Sequence, residues 1–411
     1  MNLKNKNKIS LLALNFVSQL FSFFLIWFLS RKLNVEVFSD FGKVSSAIAW
    51  VTSLTILNTG LIYQIKKSVL LKKISRYGVS ILAYNTIIVL ILLWLFEFVN
   101  NEFVTSINYY FITVVAFAFY SVGLSSLVQS RLIRSKKLRE LGVFKLIQSL
   151  VSSIVIFFFS LIIGLNFASS NVIIFLYFLG YFISSIIFIK GDIKPYSIKR
   201  TVKFVFRERV YCLNSVANNL INSSSIHGVS YGMFFVFEEK YAAAFFLLSR
   251  IIGGPVSLVS NIASQIYISE VGGKIREHNY YQVLRIMYKY IISAFLVGVA
   301  GYLVLGFVLS LNFVAIFGNE WSFSQPILLP CIIYFFIRFT FIPIMQTLNL
   351  ASHIKSMFYW ELSRVSLLTI LFLIFFIIEL DITWFVYSLS LSFLFLYLQY
   401  INMVRRKLIK I

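Results

Sequence analysis

The chain has 411 residues, 59% hydrophobic and 13% charged, and a formal net charge of +22. A soluble domain of this length cannot hide so much apolar surface behind its polar groups, so that class is excluded. The apolar residues come in long runs suited to helices across a hydrocarbon core of ~30 Å, without the period-two alternation of barrel strands.

Twelve spans are predicted, at about 9–30, 44–65, 78–99, 107–130, 141–163, 172–189, 210–236, 242–269, 289–311, 326–347, 358–378 and 384–404. Span 1 has a basic start but no small-residue cleavage site, and reads as a retained span rather than a signal peptide. It carries a polar stripe, Asn15, Ser18, Gln19 and Ser22, at i, i+3, i+4, i+7 spacing. Span 5 holds Lys145, continued by Gln148, Ser149 and Ser152. Lys145 lies near the span's end, so it either snorkels to the interface or meets an anion.

The basic linker 190–209, with Pro195 in it, divides six spans from six. It is either an ordinary loop or a hinge between two six-helix lobes, 1–200 and 201–411. The likeness of spans 1 and 7 favours lobes, because transporters are often built from such repeats. Span 7 carries Asn214, Ser215, Asn218, Asn219, Asn222 and Ser225, followed by His227. Exposing Asn218, Asn222 and His227 to lipid would be costly, so they are expected to line a cavity or pack between helices. Span 8 contains Arg250 and then Gly253, Gly254 and Pro255. Proline removes a backbone donor, which predicts a kink, serving either packing or a substrate path. Span 10 contains Arg338 near mid-membrane, and span 11 contains Arg364 three residues after Glu361, a helical ion-pair spacing.

The distribution of charge sets the orientation. With the N-terminus placed in the cytoplasm, 29 of the basic residues fall in cytoplasmic segments and 4 outside. Among the 29 are Lys4, Lys6, Lys8, Lys66, Lys67, Lys72, Lys136, Lys190, Lys194, Arg276 and Lys410. Both termini are therefore expected in the cytoplasm. The same segments face an anionic leaflet, which accounts for the +22 without nucleic acid. Lys145, Arg250, Arg338 and Arg364 remain inside the membrane. A cation there costs about 2.5–3.5 kcal/mol unless it finds a partner or a watery cavity. These four are the candidate anion contacts.

Other chemistry is poorly supported. Outer loops are short and acids few, so a membrane enzyme is not expected. His227, His278 and His353 show no metal-ligand spacing, and no cofactor or metal is implied. Cys212 and Cys331 sit in apolar runs and read as packing residues.

Four local patterns resemble one family. They are Ser30-Arg31-Lys32-Leu33 with Phe38-Ser39-Asp40-Phe41-Gly42-Lys43; Leu57-Asn58-Thr59-Gly60-Leu61; the basic stretch from Gln265 to Tyr290; and Phe317-Gly318-Asn319-Glu320-Trp321. The chain resembles the polysaccharide flippases of the O-antigen type (Wzx-like), in the multidrug/oligosaccharidyl-lipid/polysaccharide exporter superfamily. The resemblance implies an all-α membrane protein of the bacterial inner membrane, with about twelve helices in two six-helix lobes around a central cavity. It also implies alternating access, a substrate that is an undecaprenyl-diphosphate-linked glycan, and membrane lipid and other polysaccharide-assembly proteins as partners. A cation-coupled multidrug exporter of the same fold is the main alternative, and a peptidoglycan-precursor flippase a close variant. Such drug exporters use membrane-embedded acids, and here the candidate is Glu361, near the cytoplasmic end of its span.

Overall fold

The computed structural model describes residues 3–57, 59, 62, 71–99, 109–135, 137–162, 169–189, 195–209, 212, 215–351 and 353–409. Asn58, Gly60, Leu61, Lys66, Lys67, Lys136, Lys190, Lys194, Asn214 and Lys410 lie outside the described residues. So do the side chains of Lys4, Lys6, Lys8, Lys72, Asn218, Gln265 and Arg276.

The described residues form fifteen α-helices and no strand. They are α1 (Leu3–Lys32), α2 (Val35–Thr55), α3 (Leu71–Val99), α4 (Tyr109–Arg134), α5 (Leu138–Ile162), α6 (Ser170–Phe188), α7 (Ile198–Arg207) and α8 (Ser215–Ser224). There follow α9 (His227–Val236), α10 (Glu239–Arg276), α11 (Tyr280–Phe317), α12 (Gln325–Phe341), α13 (Thr347–Leu350), α14 (Ile354–Ile378) and α15 (Ile382–Ile409). Nine helical stretches among the described residues are long and apolar enough to cross a membrane. The chain is an all-α, multi-pass membrane protein.

The helices depart from the predicted spans where polar residues mask or break them. Span 2 begins earlier than hydropathy suggests: α2 starts at Val35, one tight joint after α1, and its first turns carry Glu36, Asp40 and Lys43. Asn34 makes the joint, its side-chain oxygen accepting from the Val37 amide at 2.9 Å. Span 7 divides into α8 and α9. At the break the hydroxyls of Ser224 and Ser225 donate back to the carbonyls of Leu220 and Asn222, a local competition with the helix ladder. Span 10 ends at Phe341, and a 3₁₀ turn, Ile342–Ile344, follows around Pro343, which has no amide to donate. Spans 8 and 9 are extended at both ends: α10 and α11 have 38 residues each, far more than the ~20 a bilayer requires. At Gly253, Gly254 and Pro255 α10 stays helical; the non-helical torsions in these long helices fall at Asn312 of α11 (φ −116°, ψ 17°).

The chain forms two compact units, residues 1–228 and 229–411. In the first, α1 packs along α5, α6 packs on both α4 and α5, and α2 lies against α4, α6 and α8. The Trp50 indole of α2 donates to the Ser224 hydroxyl of α8 at 2.7 Å. The first unit thus includes α8. In the second unit, α12 is central, packed on α10, α11 and α15. The break after α12 is held from two sides. Tyr400 of α15 donates its hydroxyl to the Met345 carbonyl at 2.8 Å, and Tyr267 of α10 shares a hydrogen bond with Thr347 at 2.7 Å. The turn after α11 depends on Gly318 (φ 99°, ψ 164°), a conformation open to glycine almost alone. It turns the chain so that Trp321 is fully buried.

Candidate functional site

The first unit holds a partly open polar cavity of about 190 Å³ between α1, α4, α5 and α6. Three sequence facts build it. The span 1 stripe supplies Ser18, Gln19 and Ser22. The span 5 stripe supplies Lys145, Gln148, Ser149 and Ser152. From α4 and α6 come Gln129, Tyr177 and Tyr181.

Backbone contacts hold these walls at fixed spacing. The Ser18 hydroxyl donates to the Lys145 carbonyl at 3.0 Å, tying α1 to α5. The Ser153 hydroxyl donates to the Phe21 carbonyl at 3.2 Å one face over. Across the cavity the Ser152 hydroxyl donates to the Tyr177 carbonyl at 2.7 Å, tying α5 to α6. Gly180 permits that approach, because a side chain there would meet the Ser152 hydroxyl, the Gln148 carbonyl at 2.6 Å and the Ser152 amide at 2.8 Å. The Tyr177 and Tyr181 hydroxyls are 3.4 Å apart, and Phe41 of α2 packs edge-on to Tyr177.

The chemistry of the lining is specific. It presents side-chain amides, hydroxyls and one ammonium, with no carboxylate among the described lining residues. Lys145 is half-buried, seven residues into α5 and therefore ~10 Å from its start. The buried side-chain oxygen of Gln148 has no hydrogen-bond donor among the described residues, and neither has that of Asn15 one turn before Ser18. Buried acceptors are normally satisfied, so an orphan in a cavity wall is a ready contact for a hydroxyl-bearing ligand. The volume is below the ~300–1,000 Å³ of pockets that take a whole ligand. It suits one group of a larger molecule, such as a sugar ring or a phosphate.

The other expected residues lie elsewhere. Arg250 of α10 is half-buried with its guanidinium 5.0 Å from the Phe246 ring centre. Arg338 lies in the last turn of α12, where the helix end favours a cation. It donates to the Tyr334 hydroxyl at 3.3 Å, with Tyr397 and Tyr302 also around it. Arg364 is buried and ion-paired with buried Glu361, under the Trp360 ring. That pairing gives Arg364 a structural explanation. Asn222 is exposed and His227 half-buried, while α8 meets α2 through Ser223 and Ser224. Gln129, Tyr177 and Tyr181 were not anticipated. The i, i+4 spacing of the two tyrosines on one face of span 6 was their available signal.

No family model matches the sequence, and no curated protein matches it either. Solved structures do match in fold. Lipid II flippase MurJ, in an inward closed conformation, aligns with a TM-score of 0.69 at 16% identity, over 97% of this chain and 87% of its own. An inward-facing multidrug resistance MATE family transporter of the MOP superfamily gives 0.67 at 12% identity, over 99% and 95%. A MOP superfamily transporter from Pyrococcus furiosus, described as having a binding pocket of reversed polarity, gives 0.53 at 11%, over 98% and 95%. The chain shares the fold of these solved structures.

Proposed function

We propose that this protein is a flippase for an isoprenoid-diphosphate-linked saccharide, and that the α1–α4–α5–α6 cavity is a contact site for its polar headgroup. The substrate class is an undecaprenyl-diphosphate-linked O-antigen-type repeat unit or a related peptidoglycan precursor. It moves by alternating access from the cytoplasmic to the outer leaflet of a bacterial inner membrane, with both chain termini in the cytoplasm.

Fold likeness does not choose between a lipid-linked saccharide and a drug, since 0.69 and 0.67 are nearly equal. The observation that carries the reading is the lining of the cavity: amides and hydroxyls around a single ammonium, Lys145. Amides and hydroxyls exchange hydrogen bonds with sugar hydroxyls in either direction, and an ammonium attracts phosphate. A cationic drug would meet like charge there. Arg250 and Arg338 are proposed as further phosphate contacts in the second unit, and Gln19 and Asn15 as saccharide contacts.

Ligand-induced thermal stabilisation of the purified protein tests this reading. Undecaprenyl-diphosphate-linked saccharide should raise the melting temperature in a concentration-dependent way, and lipophilic cations should not. Stabilisation by the cations alone would refute the proposal.

A further inference from the structure

Helix α7 lies in the segment that sequence reading left as a loop or a hinge. Its ten residues sort into three faces. Thr201 and Phe204 are buried. Ile198, Val202 and Phe206, at i, i+4 and i+8, are 60%, 46% and 68% exposed. Lys199, Arg200 and Lys203 are exposed on the remaining face, beside the apolar stripe. Arg207 also points outward but is engaged by Glu208 at 3.5 Å.

The buried face is firmly anchored. Phe204 stacks on Tyr77 of α3 with ring centres 4.2 Å apart and planes within 5°. It joins a core cluster with Ile62, Ile74, Ile81 and Cys212. The entry to α7 is pinned as well. The Tyr196 amide donates to the Ser80 hydroxyl at 2.7 Å, the Tyr84 hydroxyl donates to the Tyr196 carbonyl at 2.8 Å, and Arg76 lies over the Tyr196 ring.

These contacts fix the level of α7 along α3. The start of α3 is basic, with Lys73 and Arg76, and its exposed apolar surface begins at Ile87. Ser80 and Tyr84 fall between the two, where headgroups give way to acyl chains. A helix at that level, with an exposed apolar stripe flanked by lysine and arginine, has the form of an interfacial helix. We infer that α7 is a membrane-surface anchor, inserting Ile198, Val202 and Phe206 among acyl chains and binding anionic phospholipid headgroups through Lys199, Arg200 and Lys203. The basic face supplies the charge complementarity that selects an anionic leaflet. The inference is independent of the transported substrate.

Spin labels on full-length Phe206→Cys and Lys203→Cys variants test it. Cys212 and Cys331 are fully buried, and labelled wild type gives the background. The protein is reconstituted in phosphatidylcholine vesicles with or without phosphatidylglycerol, and collision with oxygen is compared with collision with an aqueous nickel chelate. The Phe206 label should favour oxygen and the Lys203 label nickel. The Phe206 label should lie deeper when phosphatidylglycerol is present, and Lys199→Gln/Arg200→Gln/Lys203→Gln in the Phe206→Cys background should abolish that lipid dependence. A Phe206 label open to nickel in both vesicles would overturn the inference. So would a label shielded from both reagents, which means protein cover, or a depth indifferent to phosphatidylglycerol.

Discussion

The hydroxyl of Ser18 donates to the backbone carbonyl of Lys145, 127 residues along the chain, at 3.0 Å. This bond joins two polar stripes that are far apart in sequence. Each stripe alone is explained by ordinary helix packing. Joined, they become adjoining walls of a polar cavity inside a membrane helix bundle, with an ammonium among them.

Gly180 should be indispensable to that cavity. A methyl group at this position would be driven into backbone atoms of Gln148 and Ser152, which cannot rotate away as a side-chain tip can. Gly180→Ala should cost about 1–3 kcal/mol and spread α5 from α6. Gly273→Ala in α10, where an added carbon meets nothing within 4 Å, is the matched control and should be neutral or mildly stabilising. Thermal unfolding in detergent compares the two, and equal melting temperatures would contradict the packing described.

Glu361 and Arg364 should behave as a structural pair. Both are buried and ion-paired. Glu361→Gln leaves a buried guanidinium without its counter-charge and should cost about 3–5 kcal/mol, whereas replacing both by apolar residues of similar volume should restore most of the loss. A double-mutant cycle on unfolding checks this. Full stability of the single variant would reopen Arg364 as a substrate contact.

If the substrate is the proposed diphosphate-linked saccharide, the membrane potential is the expected driving force. A diphosphate headgroup moving outward against a negative interior gains about 2.3 kcal/mol per charge per 100 mV. On the proposed function, Lys145, Arg250 and Arg338 would lower the barrier to passage of such a headgroup. Transport in proteoliposomes should therefore respond to a potassium–valinomycin potential at fixed pH and without sodium. Strict dependence on a proton or sodium gradient, with no response to potential, would contradict this.

Much of the architecture was legible because hydropathy reports directly on lipid exposure. The apolar run 87–95, exposed at Ile87, Ile88, Ile91, Leu92, Trp94 and Leu95, has no other stable environment. The losses fall where polar residues sit within helices. The first turns of α2 were hidden by Glu36, Asp40 and Lys43, and α7 by the very lysines that make it amphipathic. The break at Ser225 falls in the polar stretch 222–227, and the break at Pro343 interrupts a helix between the apolar neighbours Ile342 and Ile344. At the site, the stripes of spans 1 and 5 were visible as spacing, including Gln19, Lys145 and Gln148. Which stripes face each other was not, because that depends on the close approach at Gly180 and on the Ser18–Lys145 bond. Spans 7, 10 and 11 offered comparable polar residues that the fold places in other surroundings.

The measurement that bears most directly on function is translocation of a fluorescent undecaprenyl-diphosphate-linked saccharide in proteoliposomes, comparing wild type with Lys145→Gln and Lys145→Arg. The account predicts movement by wild type. It predicts a loss of roughly ten- to a hundredfold in the glutamine variant, the scale of one charge-assisted hydrogen bond, with normal reconstitution. Partial recovery is expected in the arginine variant, which keeps the charge. No translocation by folded wild type, or equal rates for wild type and Lys145→Gln, would contradict it.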